Sequence, residues 1–133
     1  MNSDRTPAPT GPLVLVVEDE PLLRLAAVEM VEDAGYVAVE AADAFEAVRI
    51  LESRDDIRIV FTDIDMPGGM SGVTLAAAIR DRWPPIDIIM TSGAVVPVDA
   101  MVPERGVFLA KPVSQRQFER TLEGFRTDTP TVM

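Results

Sequence analysis

Acidic residues collect where apolar runs stop. Glu18-Asp19-Glu20 follows the run 13–17, and Asp63 and Asp65 follow 57–62, with Pro67, Gly68 and Gly69 just beyond. Farther along, Thr91-Ser92 ends a third apolar run and Lys111-Pro112 a fourth. Carboxylates drawn close together repel by about 4 kcal/mol per pair at the effective dielectric of a protein surface, so a cluster of them calls for a cation. With only oxygen donors and no cage of six or more protein ligands, Mg²⁺ that keeps several waters suits such a cluster better than Ca²⁺ or Zn²⁺. The Pro-Gly-Gly turn bends the backbone so that a carbonyl just past Asp63 can face the same ion. Lys111 supplies a positive clamp and Thr91 a hydroxyl donor. A nucleophilic carboxylate, a metal, a cation and a donor are the parts needed to receive a phosphoryl group.

Composition narrows the field around these residues. The chain has 133 residues, enough for one domain and one core. It contains neither cysteine nor histidine, which excludes disulfides, thiolate metal sites, imidazole bases and phosphohistidine formation on this chain. A net charge of −10 argues against nonspecific nucleic-acid binding, for which clustered cations would be required. No apolar run approaches a membrane span, and the polar, proline-rich segment 1–12 lacks the apolar core of a secretion signal. The expectations are therefore a cytoplasmic chain with no membrane or nucleic-acid partner, a disordered leader over 1–12, a folded domain over 13–126 and a flexible tail over 127–133.

The chemistry needs a frame that brings distant strand ends together. Segments 13–17, 36–40, 57–62, 86–91 and 106–110 are short and β-branched, and read as strands. Between them lie helical patterns. Pro21 opens the first, with Leu23, Ala27, Met30, Val31 and Ala34 on one face, and Gly35 closes it. A second covers 43–54, capped by Asp43, with Phe45, Val48 and Leu51 at core spacing. A third covers 73–82, capped near Ser71 and stopped by Trp83-Pro84-Pro85. The last covers 114–125, with Phe118, Leu122 and Phe125 inward. This alternation predicts an α/β fold, a flavodoxin-like doubly wound sheet of five parallel strands in the order 2-1-3-4-5. The interval 92–106 is the exception. Pro97 and Pro103 leave room there for a short or irregular fourth helix only. In such a sheet ligands bind beyond the carboxyl ends of the strands, at the switch point between strands 1 and 3, where both acid sets arrive.

Each motif alone is ordinary: acids, hydroxyls and Lys-Pro pairs often do no more than end strands and turn loops. Together and in order they resemble the receiver domain of bacterial two-component response regulators over nearly the whole ordered chain. "LVVEDEP" is similar to the acidic pair after the first strand, "TDIDMPGGMSG" to the phosphoacceptor loop, "IIMTSG" to the strand 4 hydroxyl and "FLAKP" to the strand 5 lysine-proline. The resemblance implies phosphorylation of Asp63 by a histidine kinase or histidine phosphotransfer protein, and Mg²⁺ held by Glu18, Asp19, Asp63 and the Asp65 carbonyl. It implies that Thr91 and Lys111 bind the phosphoryl oxygens, and that Thr91 moves inward on phosphorylation while Phe108 reorients as the switch aromatic.

Three departures from the family pattern carry expectations of their own. The phosphoacceptor loop has one residue more between Pro67 and Gly72, absorbed by the two glycines. The switch aromatic is Phe, which has no hydroxyl. The proline-interrupted segment 92–106 points to activation by ordering of that segment in place of rotation of a rigid helix. No effector domain follows, so the expectation is a stand-alone receiver that acts through a protein partner or as a phosphate sink. On the first helix, Leu22 and Leu25 lie off the core face and suggest docking of a helical partner. The competing readings are a Mg²⁺-dependent phosphatase or phosphotransferase built on Asp63-x-Asp65, a metal-dependent nuclease or primase-like module using Glu18, Asp63 and Asp65, and a receiver used only for interaction. The second leaves Thr91 and Lys111 without a role, and the intact acid set argues against the third.

Overall fold

Strands β1 (Leu13–Val17), β2 (Val37–Ala41), β3 (Ile57–Asp63), β4 (Asp87–Ser92) and β5 (Gly106–Ala110) alternate with helices α1 (Pro21–Asp33), α2 (Ala44–Ser53), α3 (Gly72–Arg82) and α4 (Gln115–Asp128). The computed structural model describes residues 12–66, 70–94 and 101–128. All strand pairs are parallel, in the order β2-β1-β3-β4-β5, as the alternation of textures implies. The Pro-Gly-Gly turn at 67–69 and Pro97 lie outside the described residues. Among the described residues between β4 and β5 there is turn structure but no α-helix, and Arg105 adopts φ 60° there. Arg80 of α3 fastens the descending end of this crossover by donating to the carbonyls of Glu104, Pro84 and Ile86.

Two strands begin one residue later than the β-branched pattern suggests, each because its first amide is spent on closing a helix. Tyr36 N–H donates to Val31 O after Gly35 turns with φ 90°, and Ile86 N–H donates to Trp83 O. Helix starts follow their caps. Glu20 accepts from the amides of Leu22 and Leu23, Asp43 from Glu46, and Ser71 from Thr74.

The sheet separates two cores. One face is covered by α2 and α3 through Ala44, Ala47, Leu51, Leu75, Ala76 and Ile79; the other meets Val28 and Val31 of α1 and Phe118, Leu122 and Phe125 of α4. Two inward assignments from helical spacing need correction. Phe45 is 49% exposed, because Ala44, Ala47 and Leu51 take the inward positions and Phe45 stands one residue, about 100°, off that line. Leu23 is 47% exposed, because it lines an open cavity between α1 and the sheet, and the buried contacts of the helix are made by Val28 and Val31. Among the described residues no helix is long and apolar enough to cross a membrane.

Candidate phosphoryl-transfer site

Strand alternation aims the polar residues. In β1, β3, β4 and β5 the core residues Val16, Phe61, Ile89 and Leu109 all face α1 and α4, and two residues farther along stand Glu18, Asp63, Thr91 and Lys111. A period of two therefore delivers four polar side chains to one end of one sheet face. One carboxylate oxygen each from Glu18, Asp19 and Asp63 lies within 4.8 Å of the others. Lys111 Nζ donates to Asp63 Oδ2 at 3.0 Å and lies 3.7 Å from Glu18 Oε1. The second oxygen of Asp63 accepts from the Asp65 amide at 3.0 Å.

Glu18 and Asp63 are both buried, so the repulsion between them is poorly screened. Burial is the largest influence on Glu18 and pushes its carboxyl up to about 7; the Glu20 amide pulls the other way, Asp63 adds to the rise and Lys111 lowers it. For Lys111, burial favours the neutral amine. The hydrogen bond and charge of Asp63, with Glu18 and Asp65, outweigh that and hold the ammonium above its usual value. An all-oxygen trio of acids sharing one lysine fits a hard cation that keeps part of its water.

Thr91 is buried, and its hydroxyl has no hydrogen-bond partner among the described residues. An unmet buried hydroxyl costs roughly 1–3 kcal/mol, so this position favours an incoming oxygen acceptor. Below the polar cluster, a cavity of about 490 Å³ runs between α1 and the sheet, with Leu23, Ala26, Ala27, Met30 and Val113 among its walls and Asp63, Thr91 and Lys111 at its polar end.

Phe108 is not brought to this cluster. It pairs with Met90 across β4 and β5 and packs into the opposite core, under α2 and α3. Leu22 and Leu25, on the exposed side of α1, are 74% and 53% accessible. Three further residues shape the site, Ser92 and Gly72 within the quoted motifs but without a role of their own there, and Arg24 outside them. Ser92 donates to Asp65 Oδ2 at 2.5 Å and accepts from the Ala94 amide, tying the end of β4 to the loop after β3. Gly72 passes so close to that loop that a Cβ on it would stand 2.2 Å from the Asp63 carbonyl oxygen. Arg24 reaches back from α1 to the turn carrying the acids. An arginine one helical turn after an acidic triplet is the only sequence signal for it, and nothing in the sequence indicates the other two contacts.

The family model described as the response regulator receiver domain matches residues 14–123. The chain is 36% identical over 118 residues to the sensor kinase CckA of Brucella abortus; the match covers 83% of this chain but only 12% of that protein. Among solved structures, a response regulator receiver protein from Pseudomonas putida superposes with a TM-score of 0.75 at 30% identity, covering 86% of this chain and 98% of that one. The response regulator protein TrrA from Thermotoga maritima, solved in complex with Mg²⁺ and BeF, gives a TM-score of 0.77 at 25% identity, over 86% and 98% of the two chains.

Proposed function

This chain belongs to the response regulator receiver domain family, and from that premise we propose that it is a phosphorylation-dependent signalling switch of a two-component phosphorelay, with Asp63 as phosphoacceptor and residues 13–126 as the switch domain. The observation that carries the reading is the pair between buried Asp63 and half-buried Lys111 at 3.0 Å, beside a buried Thr91 hydroxyl that has no hydrogen-bond partner among the described residues. A carboxylate oxygen of Asp63 attacks the phosphorus of a phosphohistidine. A P–O bond forms as the P–N bond breaks, and the imidazole leaves as the neutral base when its other nitrogen already carries the proton. Lys111 balances charge on the phosphoryl oxygens, and Thr91 donates to one of them as it moves inward.

Glu18, Asp19 and Asp63, with the Asp65 carbonyl, are the residues that would hold Mg²⁺. When bound, the ion neutralises charge on the phosphoryl oxygens. The inward movement of Thr91 displaces the end of β4, and Phe108, paired with β4 on the other face, follows. The donor is a histidine kinase or histidine phosphotransfer protein, docking on Leu22 and Leu25; output is by protein contact in the cytoplasm, without nucleic acid or membrane. The receiver-bearing sensor kinase relative supports the kind of donor.

Intact mass after incubation with Mg²⁺ and a small acyl phosphate tests the reading. One phosphoryl group should be added, and Asp63→Asn should abolish it while the circular dichroism spectrum is retained. Continued turnover of a phosphoester would point instead to a Mg²⁺-dependent phosphatase or phosphotransferase.

A further inference from the structure

The acids of the site sit on a turn, and a turn holds its shape only if its peptide groups have partners. The Glu18 amide donates to Ala41 O at 3.1 Å. The Glu18 carbonyl accepts from Arg24 Nη1 at 2.9 Å, and the same guanidinium donates through Nε to Glu40 Oε1 at 3.2 Å. We propose that Arg24 is a positioning residue for the metal site: its fork fixes the Glu18–Asp19 peptide from below and braces it against the edge strand β2.

The inference rests on the functional reading above and concerns how the acid pair is held. Rotation of the peptide between Glu18 and Asp19 would change the direction of both carboxylates at once. Glu18 Oε2 accepts from the Glu20 amide at 3.1 Å, and Glu20 in turn caps α1, so one side of the turn is fastened by the helix start. On the other side Ala41 and Glu40 are consecutive residues of β2, one holding the amide of Glu18 and the other holding, through Arg24, its carbonyl. Arginine suits this task because one rigid plane offers donors in two directions; an ammonium is a single point and cannot span both acceptors. Groups that orient ligands without touching the ion commonly change metal affinity by about tenfold or more when removed.

Charge and position predict opposite signs. A guanidinium near a cation site disfavours the cation, so if Arg24 acted only through its charge, Arg24→Ala would tighten Mg²⁺ binding. If it positions the acids, Arg24→Ala weakens it.

Isothermal titration of the full chain with Mg²⁺ alone reads this directly. Arg24→Ala should raise the dissociation constant about tenfold, and Arg24→Lys, which keeps the charge, should raise it severalfold. Glu40→Gln, which keeps an acceptor for Nε, should bind as the unaltered chain does. Unchanged or tighter Mg²⁺ binding by Arg24→Ala overturns the proposal. So does full affinity in Arg24→Lys, which also decides the matter should the alanine variant fail to fold. Phosphorylation of the unaltered chain by a small acyl phosphate separates the two levels: its absence defeats the functional reading, whereas its presence with Mg²⁺ affinity indifferent to Arg24 defeats this inference alone.

Discussion

Helix α4 turns Phe118, Leu122 and Phe125 into the sheet, whereas α1, on the same face, buries Val28 and Val31 and leaves Leu22, Leu23 and Leu25 exposed. Both helices cover one core, yet only α4 spends its large apolar residues there. Phe118 is fully buried and stacks at 4.9 Å on Phe61, two residues before Asp63. The first turn of α1 instead carries apolar area past the strand ends, where it borders the cavity below Asp63. Apolar residues on the two helices are therefore placed differently: those of α4 hold the sheet, and the leading ones of α1 stay exposed near Asp63.

Truncation separates these placements most strongly. Phe118→Ala should lower unfolding free energy by about 3–5 kcal/mol, because it removes a fully buried ring from a packed core. Leu22→Ala should change it by no more than about 0.5 kcal/mol. Chemical denaturation of the two variants compares them, and equal losses would erase the distinction.

A smaller effect, in function alone, is expected on α1. Leu22→Asp combined with Leu25→Asp should slow phosphotransfer from the cognate histidine kinase by about tenfold, roughly 1.4 kcal/mol, while phosphorylation by a small acyl phosphate stays unchanged. Loss of both reactions together would mean a damaged fold and no docking role.

At the α1 end of the face a pH dependence is expected. The Glu18 carboxyl is raised from 4.5 to about 7 on folding, so the native state binds a proton that the unfolded chain has released. Below about pH 4.5 both states are protonated and the group contributes nothing; between about 4.5 and 7 stability falls as pH rises. The melting temperature in excess EDTA should decline across that window, and Glu18→Gln should flatten the decline. Mg²⁺, which competes with the proton for the carboxylate, should bind more tightly as pH rises through 7. A melting temperature independent of pH from 5 to 7 in EDTA would contradict the assignment.

Much of this was legible in the residues. Caps at Asp43 and Ser71, Pro21 at a helix start, and β-branched runs ended by acids or hydroxyls are local signals, and the elements and sheet order follow them. Inward-facing residues are legible where the pattern is unambiguous, as in α4, and less so in α1 and α2. There apolar residues occupy adjacent positions, and spacing alone cannot say which of Ala44 and Phe45, or Ala27 and Val28, is the more deeply buried.

Residue order alone says which residue types stand at each strand end, and hence that any chemistry here must use carboxylates, a hydroxyl and a lysine. Their common face follows from the same order, since Val16 and Glu18, Phe61 and Asp63, Ile89 and Thr91, and Leu109 and Lys111 are each two residues apart on a strand or across its end. What each of them touches depends on how the chain closes in three dimensions. The bond from Ser92 to Asp65, the passage of Gly72 against the Asp63 carbonyl and the reach of Arg24 to Glu18 and Glu40 all depend on how loops and helices close over the sheet. The partners of an arginine or a serine are set by three-dimensional proximity, whereas the direction of a strand side chain is set by the backbone's own period.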